Sequence, residues 1–317
     1  MVDPTPRRLA VLGSPIAHSL SPALHNAAYR ELGLPWQYDA HRVDADELSD
    51  FLAGLTPEWL GLSLTMPLKD RIQPRLGDVD RVAELTGSVN TVRIGDAPAD
   101  RSPSALTGYN TDVPGLVRAL AEAGVERAVH VSLLGAGATA ASALVAAAEL
   151  GAETVEILAR RPARAGALVD LGHRLGLVVS AHDLAAAGDP GRTSDLVIST
   201  LPGDAILPTE FPALLRSETL LFDVGYAPWP TALAASWAGV GGRVSSGRTM
   251  LLHQALIQVR IFVGNDPFLP LPDEEQVLQA MRDALPAETP VPADPSAPIP
   301  ISTGTPAADP GDPAVEG

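Results

Sequence analysis

The chain has no cysteine among its 317 residues, which excludes a disulfide framework and any thiolate metal site and agrees with a reducing compartment. Its seven histidines offer no substitute, because none pairs with another at i, i+4 or gathers carboxylates at ligand spacing. No metal centre is expected. Basic residues are scarce as well: 22 Lys and Arg stand against 38 Asp and Glu, a formal charge of −16. Aromatics make up 4% of the chain and interleave with no basic stripe, so nucleic acid is not an expected partner. Long apolar runs are missing too. The small-residue stretch 135–150 is rich in Ala, Gly, Thr and Ser and too short for a membrane span of about 20 residues. The first eight residues run into an apolar segment with no signal-peptide pattern. A cytoplasmic protein without membrane contact is the expectation. No internal repeat of fixed period is visible.

What the chain does carry is a regular alternation of short apolar segments and helical patterns, over a length that predicts two domains. In the first part, strands are predicted at 9–12, 36–43 and 60–64, and a hairpin from 91–94 and 106–109. Ser21 and Pro22 open a helix as N-cap and first-turn proline, with Gly33 as its stop. Asp44 and Glu47 form a capping-box pattern before Leu48. A helix at 113–123 leads out of this unit, and then strands at 130–134, 154–158, 178–181, 196–200 and 219–224 alternate with helices at 139–150 and 163–175. Strands separated by helices predict a parallel, doubly wound sheet with right-handed crossovers. Helices at 250–263 and 273–285, the latter with a capping box from Asp273 and Gln276, should fold back on the first unit. The expected fold is therefore α/β. Residues 1–112 and 248–285 form one domain, and 113–247 form a second, dinucleotide-binding one. Residues 286–317 are an acidic tail dominated by Pro, Ala, Asp, Thr and Gly, without Lys or Arg. Such a segment cannot bury enough to offset its ordering entropy and is expected to be disordered.

Gly135-Ala136-Gly137-Ala138-Thr139-Ala140 follows one predicted strand and opens one predicted helix. In that context Gly135 permits the tight turn, Gly137 lets a pyrophosphate approach the backbone, and Ala140 allows close helix packing. The next strand ends without the carboxylate that would read a ribose 2′-hydroxyl. Arg160 and Arg161 stand there instead, with Arg164 one turn on. Guanidiniums suit a phosphate and stack on adenine, so NADP(H) is expected over NAD. Solvation of a helix start is the plain alternative, but cations there oppose the helix dipole. Thr200, ending a predicted strand, and Gly247, where the chain leaves the second domain, complete the expected cofactor set.

The remaining polar residues gather at strand ends and strand-helix junctions of the first unit: Ser19, Ser21, Ser63, Thr65, Asn90, Asn110 and Thr111, with Lys69 and Asp112 among them. Sheets of this kind bind ligands there, and the set suits a small polyhydroxylated molecule. Taken singly, Lys69 reads as a surface charge and Asp112 as a helix cap. Convergence makes them the candidate catalytic pair.

The segments 13–22, 62–69, 87–91, 108–112, 223–226 and 250–254 resemble those of the shikimate dehydrogenase family, in the same order and at similar spacing across 9–285. The resemblance implies reversible, NADP-dependent reduction of 3-dehydroshikimate to shikimate on the route to aromatic amino acids. It also implies a substrate domain beside a Rossmann domain, and a monomer or homodimer. Lys69 and Asp112 would be catalytic, with Ser19, Ser21, Thr65, Asn90, Thr111, Tyr226 and Gln254 around the substrate. The chain departs from the family at Ser63, where Asn is common. It departs again at Ala138 within the glycine turn, at Ala159-Arg160-Arg161 in place of Asn-Arg-Thr, and at Phe262-Val263-Gly264, which lacks a tryptophan. The phosphate clamp is thus expected to differ in detail. A quinate or aminoshikimate dehydrogenase and a non-catalytic metabolite-binding relative are the alternatives. Retention of Ser19, Ser21, Lys69 and Asp112 weighs against them.

Overall fold

The computed structural model describes residues 5–95 and 105–291; the expected tail from 292 onward and the turn of the first hairpin lie outside them. Two six-stranded sheets carry the chain. The first is built from β1 (Arg7–Gly13), α1 (Ser21–Glu31), β2 (Trp36–Arg42), α2 (Leu48–Ala53), β3 (Trp59–Leu64), β4 (Asp78–Val79), α3 (Arg81–Thr86), β5 (Thr91–Ile94) and β6 (Leu106–Tyr109). Its order is β2-β1-β3-β5-β6-β4. Helical crossovers keep β1, β2 and β3 parallel, whereas β5 runs antiparallel to both β3 and β6, as the hairpin reading required.

Helix α4 (Asp112–Glu122) then leads to β7 (His130–Leu134), α5 (Ala138–Glu149), β8 (Thr154–Ala159), α6 (Gly166–Arg174) and β9 (Val178–Asp183). The chain crosses back through β10 (Leu196–Ser199), α7 (Ala213–Glu218), β11 (Leu220–Asp223), α8 (Ala232–Ala238) and β12 (Val244–Ser246). This sheet is parallel throughout, in the order β12-β11-β10-β7-β8-β9. Counted from β7 that is the doubly wound order, and it reverses between β7 and β10, where a ligand crevice is expected. Helices α9 (Gly247–Gly264) and α10 (Glu274–Asp283) close the described chain. Leu252, Leu256, Val259 and Phe262 of α9, with Val277 and Met281 of α10, share one buried cluster with Leu9, Leu24, Tyr29 and Tyr38. The C-terminal helices therefore complete the core of the first sheet.

Local expectations fail where a polar side chain has a stronger tertiary partner. Ser21 is not the N-cap of α1: the helix already includes it, and the hydroxyl of Ser19 accepts the Ser21 N–H at 3.3 Å. Asp273 makes no cap bond and sits at φ 48°. Its neighbour Glu274 is held by Arg260 and accepts the Leu271 N–H at 3.0 Å, so the capping box never closes. The Asp44–Glu47 box closes only by half: the Glu47 carboxylate accepts the Asp44 N–H at 2.8 Å, but the Asp44 carboxylate turns to Arg42 at 2.7 Å and the helix begins only at Leu48. Residues 162–165 form a 3-10 turn before α6, and β4, α3, α7, α8 and β12 had no counterpart among the sequence expectations.

Candidate active site

Lys69 lies in the turn after β3, and its carbonyl accepts the Val89 N–H at 2.9 Å, which fastens the turn to the segment entering β5. Its Nζ meets Asp112 Oδ2 at 2.5 Å, with the two side chains only 14% and 6% exposed. The other oxygen, Oδ1, accepts from Asn90 Nδ2 at 2.8 Å. A carboxylate so occupied can orient and neutralise but has little left to offer a ligand, whereas the ammonium keeps two further N–H donors. Asp112 is also not the cap of α4. That work falls to Asn110, whose Oδ1 accepts the N–H groups of Asp112 at 3.0 Å and Val113 at 3.2 Å. The carboxylate is thereby released for Lys69.

Asn90 organises the rest. Its Nδ2 lies 2.9 Å from Thr111 Oγ1 and 3.4 Å from Gln254 Oε1, and its Oδ1 accepts the Thr111 N–H at 2.9 Å. Gln254 arrives from α9, 164 residues later in the chain, and its Nε2 donates to the Leu251 carbonyl at 2.8 Å. The close crossing of α4 and α9 depends on Gly115, where an added Cβ would fall 2.6 Å from Gln254 Cβ and 2.9 Å from its nitrogen. Thr65 donates its N–H to the Leu12 carbonyl at 2.9 Å, and a Cβ at Gly13 would strike its methyl group. The β1–α1 turn, which bears Ser19 and leads into Ser21 at the start of α1, thus lies against the turn bearing Lys69. Tyr226 stands half-buried in the loop after β11, and burial raises its phenol pKa. Among the described residues no hydrogen bond ties it to the Asn90 cluster. Its loop is held by Asp223, which accepts from Thr231 Oγ1 at 2.6 Å and the Gly225 N–H at 3.1 Å; burial raises this carboxyl, partly offset by those bonds.

At the switch point of the second sheet a cavity of about 370 Å³ is lined by Gly135, Ala136, Gly137 and Thr200 together with Arg160, Arg161 and Arg164. Gly135 has φ +108°, and a Cβ there would lie 2.3 Å from Thr200 Oγ1, which donates to the Leu134 carbonyl at 2.8 Å. Only glycine fits. A Cβ at Gly137 would meet nothing within 4 Å, so the backbone is open to a ligand. Ala138 and Thr139 form the first turn of α5, which no side chain caps, leaving its N–H groups for an anion. The three arginines are exposed, and none of their guanidinium groups has a carboxylate or hydrogen-bond partner among the described residues. Unpaired cations, an open glycine and an uncapped helix fit a dinucleotide carrying an extra phosphate. Gly247 opens α9 against the Val224 carbonyl, 2.0 Å from where a Cβ would stand. Asn110 joins the two regions, because its Nδ2 also donates to Ser142 Oγ on α5 at 3.1 Å.

A family model for the shikimate dehydrogenase substrate binding domain matches residues 11–92. A shikimate dehydrogenase (NADP(+)) from Geobacter sp. strain M21 is 37% identical over 82% of this chain and 91% of its own. The chain belongs to the shikimate dehydrogenase family. Solved members agree with it along nearly their whole length. The Mycobacterium tuberculosis enzyme is 39% identical, with a TM-score of 0.72 over 88% of this chain and 98% of that one. The Thermus thermophilus enzyme, solved in complex with NADP(H) and shikimate, is 32% identical with a TM-score of 0.71, over 88% of this chain and all of that one. Among the described residues no group of His, Asp and Glu could hold a metal ion, and no helix is long and apolar enough to cross a membrane.

Sequence reasoning missed Gly115, Asn110 as the cap, and Gln258, which reaches Ser63 and Thr91 from α9. One signal was legible and unused. Lys69 is the only lysine in the chain, beside 21 arginines. A protein that meets every other need for a cation with guanidinium has retained its one compact ammonium, the group better suited to give up a proton, at this position.

Proposed function

We propose that this protein catalyses the reversible, NADP-dependent reduction of 3-dehydroshikimate to shikimate, with residues 1–112 and 248–285 holding the substrate and 113–247 the cofactor. The observation that carries the reading is the Lys69–Asp112 pair, nearly buried and held from behind by Asn90. NADPH, when bound, supplies the hydride. As the substrate carbonyl is reduced, negative charge grows on its oxygen; the Lys69 ammonium stabilises that charge and delivers a proton from Nζ. Asp112 holds Nζ in place, and in the reverse direction Nζ receives the hydroxyl proton. Ser19, Ser21 and Thr65 bind the far end of the ring, Thr111 and Gln254 its hydroxyls, and Tyr226 closes the pocket from the β11 side. Gly135, Gly137 and the first turn of α5 cradle the pyrophosphate, while Arg160, Arg161 and Arg164 take the 2′-phosphate.

The test crosses shikimate and quinate with NADP and NAD and follows the nicotinamide absorbance. Turnover with shikimate and NADP above the other three combinations is expected. Turnover mainly with quinate, or mainly with NAD, would overturn the specificity, and silence in all four would overturn the activity.

A further inference from the structure

Behind the pair runs a polar chain that the proposed reaction does not use. Tyr38 Oη donates to Ser63 Oγ at 2.6 Å, and Ser63 Oγ donates to Gln258 Oε1 at 2.8 Å. Gln258 Nε2 donates to Thr91 Oγ1 at 2.9 Å and to the Asn90 carbonyl at 3.3 Å. Thr91 Oγ1 donates to Asn90 Oδ1 at 2.9 Å, and Asn90 Nδ2 reaches Asp112 at 2.8 Å. Tyr38, Ser63, Gln258, Thr91, Asn90 and Asp112 are each under 5% exposed. Water does not compete for these bonds.

The direction of every bond is set by two main-chain groups. The Thr111 N–H can only donate, so it takes the Asn90 oxygen and turns the Asn90 NH₂ to Asp112. The Asn90 carbonyl can only accept, so it takes the Gln258 NH₂ and turns Gln258 Oε1 to Ser63. The Ser63 proton is then committed to Gln258, and its lone pair receives Tyr38. The Tyr38 ring is itself held by the His25 ring, stacked at 3.9 Å and 12°, whose Nδ1 lies 3.0 Å from the Ser21 carbonyl. The chain thus spans from the serines at one end of the pocket to the carboxylate at the other. An Asn at position 63 would carry its own amide into this space; the shorter serine leaves room for a tyrosine hydroxyl and a glutamine from α9.

We infer that Tyr38, Ser63, Gln258 and Thr91 are positioning residues for the reaction, a buried relay of fixed direction that holds the Asn90 amide with its donor on Asp112 and so holds Asp112 on Lys69. The inference rests on the reading of Lys69 and Asp112 as the reacting pair.

Thr91 tests it most sharply, because its hydroxyl and its methyl group can be removed separately. Thr91→Val keeps the shape and loses the hydroxyl; Thr91→Ser keeps the hydroxyl and loses the methyl. Thr91→Val and Gln258→Leu should each lower kcat about tenfold with KM for NADP unchanged, and Thr91→Ser should stay within about twofold of the parent chain. A packing role predicts the reverse order for the Thr91 pair. Wild-type kcat in Thr91→Val or Gln258→Leu, or a Thr91→Ser variant as slow as Thr91→Val, overturns the relay. Should these variants fail to fold, Tyr38→Phe reads the chain from its other end, with kcat about threefold down and wild-type turnover as the overturning result. A crystal structure of the Thr91→Val chain reads the relay without turnover: Asn90 should leave Asp112, and a retained contact sinks the idea. A parent chain inactive on shikimate strikes the proposed function instead, and leaves that crystallographic readout to decide the relay.

Discussion

The two ligand-facing regions of this molecule are built on opposite plans. Around Asn90 almost every polar group is buried and already bonded to protein. Around Gly137 the backbone is bare, the helix end uncapped, and three arginines line a cavity with no side-chain partner among the described residues. The first plan fixes donors and acceptors before the ligand arrives, which favours discrimination between similar hydroxylated rings, since a wrong group leaves a buried partner unsatisfied. The second lets the ligand bring the missing charge, which suits a large anion recognised mainly by its phosphates.

Breaking the pre-bonded side at its reacting end should have the largest effect. Lys69→Ala is expected to lower turnover by roughly three orders of magnitude while NADPH affinity, read by fluorescence titration, stays near that of the parent; comparable turnover would remove Lys69 from the reaction. The same side should also show itself in stability. Burial drives the His25 pKa down from 6.5 to about 4. Between these values the unfolded chain binds a proton that the folded chain does not, so stability rises with pH across that window. About 3 kcal/mol should be lost on acidification from pH 6.5 to 4. His25→Phe, which keeps a ring on Tyr38 and cannot titrate, should show a correspondingly smaller acid loss in urea denaturation; equal losses would refute the burial argument.

The charge-seeking side is tested by its arginines. Replacing both Arg160 and Arg161 with Ser should raise KM for NADP about 10- to 100-fold, leave kcat near the parent value and hardly touch NAD. An equal change for both cofactors would mean that the arginines do not read the 2′-phosphate. The smallest expected effect sharpens the comparison at the join. Gly115→Ala forces α9 away from α4 at Gln254, so KM for shikimate should rise about three- to tenfold with NADP affinity intact. A shift in NADP affinity alone would show the crossing to serve the other region.

Most of the alternation of strands and helices was readable because those elements announce themselves locally, through apolar periodicity, a glycine at a left-handed stop such as Gly33, or a proline at a helix start. The parallel, doubly wound character of the second sheet followed from strands alternating with helices. Helix caps were less legible. Ser21, Asp112 and Asp273 each look like a cap, yet Ser21 lies inside its helix, Asp112 is taken by Lys69, and Asp273 sits in a left-handed conformation without a cap bond. Gly247 carries a packing constraint that its sequence does not announce: a side chain there would strike the Val224 carbonyl.

By itself, then, the order of residues determined the elements, the glycine turn, the arginines that follow β8 and the one lysine, because each depends on backbone conformation or side-chain chemistry within a few positions. Only the tertiary structure decided which polar groups pair. Gln254 and Gln258 meet Asn90 and Ser63 from more than 160 residues away, and once such groups are buried the strongest available partner takes the bond, whatever the local pattern offered.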